Sequence, residues 1–110
     1  MPLVTCFNLR VDDALADIEV VVRGALASMP ELLIDEDEID FVPVLEPDAF
    51  QATVTRINVD LWEGSERTKQ GLQEFATRVA EAFQAAAGTD RSVKVVIRPY
   101  DVETSGWVSR

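Results

Sequence analysis

Two stretches of helical periodicity, each entered from a run of alternating residues and left for another, constrain this chain more than anything else in it. Residues 3–9 alternate Leu3, Thr5, Phe7 and Leu9 with Val4, Cys6, Asn8 and Arg10, the two-residue period of a strand. Asp12 or Asp13 then offers a carboxylate to the unpaired amides of a helix start. Ala14, Leu15, Ile18, Val21, Val22, Ala25, Leu26 and Met29 follow at helical spacing until Pro30 stops them. Ile39 to Leu45 reads as a short strand, with Pro43 marking an edge or a bulge. The second half repeats the order. Ala52 to Trp62 alternates as a long strand, Gly64 breaks it and Ser65 caps what comes next. Leu72, Phe75, Val79, Phe83 and Ala86 form a second apolar stripe, Gly88 ends it, and Val93 to Arg98 gives a last strand closed by Pro99.

Tandem β-α-β units of about residues 2–46 and 51–108 predict one α+β domain over residues 1–110, because each parallel strand pair needs a right-handed crossover. The expected architecture is a four-stranded mixed sheet with both helices on one face, since either helix elsewhere would leave part of its stripe in water. No helix is left for the other face. With aliphatic residues on both sides of the strands, that face calls for burial by another subunit.

Composition removes several functions. The net charge of −10 is carried by residues 1–54, which hold 12 acidic residues against Arg10 and Arg23, while residues 55–110 hold eight of each sign. The densest run, Asp35 to Asp40, fits a solvated loop, and an acidic chain without a Lys/Arg cluster does not suit nucleic acid. No apolar run approaches the roughly 18 residues of a membrane span, and no leader opens the sequence, so the expectation is a cytoplasmic protein. There is no histidine and one cysteine, Cys6, which leaves no metal-ligand spacing and no internal disulfide. Neither a metal nor a cofactor is expected.

Chemistry then falls to Pro2. Proline is small enough for the aminopeptidase that removes initiator methionines, and loss of Met1 would free a secondary amine at the start of a strand. Such an amine takes up a proton, donates one or attacks a carbonyl. An ordinary α-amino group has a pKa near 7.7 to 8.0, and a guanidinium about 5 Å away at an effective dielectric near 20 disfavours the ammonium by roughly 3 kcal/mol. Arg10, Arg56 and Arg98, from this or a neighbouring subunit, are candidates for that role, the alternative for each being a surface ion pair. Cys6 fits a small core residue better than a nucleophile, because no histidine exists to activate it. Tyr100 and Trp107 suit either a pocket wall or packing at a subunit edge.

Ile57 to Phe83, with its Glu63-Gly64-Ser65 turn, resembles the strand, turn and amphipathic helix of 4-oxalocrotonate tautomerase. The ending Tyr100-Asp101 then Gly106-Trp107 is similar to that of macrophage migration inhibitory factor. Both belong to the tautomerase superfamily. The resemblance implies two fused β-α-β units, a homotrimer, and a catalytic proline following the initiator methionine. It implies a tautomerase or isomerase acting on a small carboxylate, with hydratase, dehalogenase and decarboxylase chemistry as relatives. Arg10 suits the family's first substrate cation, whereas Asp40 stands where a second is common, and Val96 stands near the place of a pocket tyrosine, with Arg98 two residues on.

The function expected is a cofactor-independent tautomerase-like enzyme for a small 2-oxo, enol or unsaturated carboxylic acid, with Pro2 catalytic and Arg10, Arg56, Arg98, Tyr100 and Trp107 binding substrate. The alternative is a non-enzymatic ferredoxin-like module for binding or regulation. Strand connectivity separates the two, because a ferredoxin-like sheet interleaves its halves.

Overall fold

The computed structural model of the chain describes residues 2–10, 13–45, 54–64, 67–88, 91–101, 103–104, 106 and 108. The elements run β1 (Leu3–Leu9), α1 (Leu15–Leu26), β2 (Asp40–Leu45), β3 (Val54–Trp62), α2 (Lys69–Ala87) and β4 (Ser92–Tyr100), with two short 3₁₀ turns between α1 and β2. Sheet order is β2-β1-β3-β4. The pairs β1/β2 and β3/β4 are parallel, and β1/β3, antiparallel, joins the units. The halves lie side by side, so the interleaved ferredoxin-like connectivity is absent.

Both helices cover one face. Val4, Cys6, Ile57 and Val59 of the sheet are fully buried against Ile18, Val22 and Leu26 of α1 and Phe75, Val79 and Phe83 of α2. These are the helical stripes expected from spacing. The side chain of Thr68 caps α2 by accepting the Gly71 amide at 3.1 Å. Gly88, at φ 104°, ends the helix where a residue with a Cβ would be strained.

Four local expectations change. Strict alternation puts Leu9 on the face of Leu3 and Phe7, but Asn8 adopts a left-handed φ of 62° and the register with β2 shifts between Cys6 and Leu9. That bulge sends Leu9 into the core, fully buried. Asp13 does not cap α1, whose first turn has Ala14 before it and no side-chain cap; a tertiary ion pair takes its carboxylate instead. Thr68 caps α2, and Ser65 lies outside the described residues. Finally, β4 continues through Pro99 to Tyr100. An edge strand tolerates the missing N–H.

The uncovered face is ordered in rows that cross the strands. Asp40, Leu3, Asp60 and Arg98 are in register, then Val42, Thr5, Asn58 and Val96. Val42, Val44 and Val54 supply exposed aliphatic surface there, while Asn58 and Asp60 at the centre are only 6% exposed. Among the described residues, no helix is long and apolar enough to cross a membrane.

Candidate active site

Pro2 is buried where β1 begins. Its carbonyl accepts the Asp40 amide at 3.0 Å, which ties it to the start of β2. The neighbouring Leu3 is flanked by Asp40 on one side and Asp60 on the other.

Asp60 organises this end of the sheet. Its carboxylate accepts Arg98 Nε at 2.6 Å and Nη2 at 3.0 Å, and the Tyr100 hydroxyl at 3.2 Å. The hydrogen bond and charge of Asp60 raise the Arg98 pKa above the ordinary arginine value. Asp60 is nearly buried, whereas the Arg98 side chain is 45% exposed. The guanidinium therefore presents one side to the carboxylate and leaves another open on this face. Sequence reading named Arg98 and Tyr100 but not Asp60. The signal was the alternation of β3, which places Asp60 on the uncovered face, yet the partnership needs the register of β3 with β4.

Arg10 and Arg56 lie elsewhere. Arg56 is in register with Phe7 and donates from Nε to Asn58 Oδ1 at 2.9 Å. Arg10 follows the far end of β1. About 25 Å of strand separates it from Pro2, so one chain brings Arg98 and Tyr100 to the proline end and leaves Arg10 and Arg56 at the other. Trp107 lies outside the described residues.

The acidic run is solvent-exposed, as expected of a loop, and Arg23 tethers it by donating to the carbonyls of Glu36 and Ile39 at 3.1 and 2.7 Å. Cys6 is fully buried, and burial pushes its thiol up to about 12, a core residue rather than a thiolate. A cavity of about 620 Å³ opens between α2 and the outer edge of β4, with Arg67, Lys69, Leu72, Val95, Ile97 and Pro99 in its lining. Pro2 does not line it. Among the described residues, no group of three or more His, Cys, Asp or Glu could hold a metal ion.

No protein-family model matches the chain, and no curated protein matches it in sequence. Solved structures do match it in shape. The F6 fused 4-OT, described as an asymmetric trimer, superposes with a TM-score of 0.79 at 14% identity over 96% of this chain and 92% of its own. A native fused 4-OT gives 0.74 at 17% identity over 96% and 92%. FG41 malonate semialdehyde decarboxylase, inhibited by 3-bromopropiolate, gives 0.70 at 16% identity over 99% and 89%. With the side-by-side β-α-β units, these likenesses give the chain the tautomerase fold.

Proposed function

We propose that this protein is a cofactor-independent tautomerase-like enzyme in which Pro2, freed by removal of Met1, transfers a proton to or from a small 2-oxo, enol or unsaturated carboxylic acid. The observation that carries this reading is the burial of Pro2 at the head of a central strand, at the end of the sheet where Asp60, in register with the next residue Leu3, holds Arg98 and Tyr100. Similarity in fold to tautomerases and to a decarboxylase supports it.

Arg98 holds the substrate carboxylate from the uncovered face, with Tyr100 beside it. Arg10 and Arg56 serve the same end only when a second copy supplies them, and a homotrimer burying the uncovered face provides that copy. Trp107 is proposed as a further wall of the pocket. The local charge bears on which way the proton moves. Asp60 is matched by Arg98, so the exposed Asp40 is the unbalanced charge near Pro2 and favours its ammonium form, which suits a general acid. A guanidinium from a neighbouring copy would favour the free amine and suit a base.

The test compares wild type with Pro2→Ala on phenylenolpyruvate and on halogenated three-carbon unsaturated acids, after intact mass has established that Met1 is gone. Loss of the amine is expected to cost about 10²-fold or more. A pH-rate limb falling near about 9 marks an acid, and one rising through about 6 to 7 marks a base. Equal rates for the two proteins, or no turnover by either, would refute the reading.

A further inference from the structure

Away from the Pro2 end, the most heavily built part of the molecule is the turn after β1. Arg91, 1% exposed and just ahead of β4, crosses 78 positions of sequence to reach Asp13. Its Nη2 donates to Oδ1 at 2.6 Å and its Nη1 to Oδ2 at 3.0 Å. Nη1 also donates to Thr55 Oγ1 at 3.1 Å, and the guanidinium lies 5.5 Å from the centre of the Phe83 ring. Burying two charges costs several kcal/mol per ion, and such pairs are often no more stable than apolar residues of the same volume. Stability alone therefore does not account for the pair. Placement does.

What is placed is Arg10. Asp13 Oδ2 accepts the Arg10 amide at 2.6 Å, and the Asp13 amide donates to the Arg10 carbonyl at 3.1 Å. Both backbone polar groups of Arg10 are thus held by the residue that Arg91 anchors. Upstream, the left-handed Asn8 donates from Nδ2 to the Val54 carbonyl at 3.3 Å, and its own carbonyl accepts the Thr55 hydroxyl at 3.5 Å. Thr55, fully buried, is therefore common to the bulge and the ion pair. The bulge moves the chain on by one place, giving Leu9 the core position and setting the half-buried Arg10 at the turn that Asp13 holds. Re-aiming a side chain is a recurrent use of bulges near functional sites.

We infer that Arg91 and Asp13, together with the bulge at Asn8, are positioning residues that aim Arg10 at the carboxylate of a substrate held against Pro2 of a neighbouring copy. This inference rests on the function proposed above. It gives the buried pair a role in substrate affinity rather than in proton transfer.

The experiment uses the intact protein and phenylpyruvate, read as direct binding by calorimetry and as KM and kcat for its enol. Arg91→Lys keeps the charge and loses the two-point fork. It is expected to weaken binding and raise KM about tenfold, the scale of one misplaced charge-assisted hydrogen bond, with kcat nearly unaltered. The deciding measurement is the same substitution made in Arg10→Ala, where a further loss below about twofold is expected, because contacts sharing one output are not additive. An undiminished tenfold loss in that background would make the ion pair scaffolding and overturn the inference. So would wild-type affinity in Arg10→Ala itself, while activity dependent on Pro2 would leave the proposed function standing. Wild type that neither binds nor turns over phenylpyruvate would overturn both. Should Arg91→Lys fail to fold, Thr55→Val, which removes the shared hydroxyl at nearly constant volume, enters the same cycle with the same two outcomes.

Discussion

Arg98 and Arg91 each meet an aspartate at two points, and exposure separates what they do. Arg98, 45% exposed on the uncovered face, leaves much of its side chain accessible. Arg91, 1% exposed, is committed inside the chain. Its partner Asp13 feels opposing influences: burial pushes the carboxyl up, while the hydrogen bonds of Arg91 and the Arg10 amide, and the charges of both arginines, pull it down and prevail. A carboxylate depressed in the folded state stabilises fully above its unfolded pKa near 3.9, and that contribution is lost as pH falls through the lower folded value. Thermal melts of wild type are therefore expected to lose more stability between about pH 4 and pH 2 than melts of Asp13→Asn, and to show no loss from this group between pH 7 and 5. Parallel melting curves for the two proteins below pH 4 would contradict the assignment. None of this was legible in the sequence. A carboxylate ahead of an apolar helical stripe fits an N-cap equally well, and a left-handed Asn8 leaves no mark on a two-residue period. Burial of Arg91 depends on a partner at the other end of the chain.

At the scale of elements, the helices were the most legible part, because a stripe of apolar residues at 3.6 spacing has one physical use in water. Phe75, Val79 and Phe83 are fully buried, in the places their spacing required. Phe75→Ala is expected to cost about 3 to 5 kcal/mol in urea unfolding, through lost transfer energy and the cavity left behind. Val20, on α1 but 66% exposed, is the control, with Val20→Ala expected within about 0.5 kcal/mol. The strands were legible in number and order but less so in extent. Pro99 read as a stop because a proline breaks a ladder on the side of its missing N–H, and β4 has an unpaired edge where that loss is harmless. Asp60 stayed unnoticed because its meaning comes from the register that sets it beside Arg98.

For the whole molecule, the uncovered face and the two separated sets of cations point to assembly. Exposed Val42, Val44 and Val54 on that face are expected to be buried in a trimer of this chain at micromolar concentration. Sedimentation should show three copies for wild type and a smaller species for Val54→Asp. Because antiparallel pairing of β1 with β3 sets the head of one unit against the tail of the other, the chain holds Pro2 with Arg98 at one end of the sheet and Arg10 with Arg56 at the other. A site drawing on both is then shared property, and defects in it become recessive. Pro2→Ala and Arg10→Ala proteins, each impaired alone, should regain activity when unfolded, mixed and refolded together, since some mixed assemblies pair the intact proline of one copy with the intact arginine of another. On the proposed function, the strand that holds these groups about 25 Å apart makes activity a property that two defective copies can restore to each other.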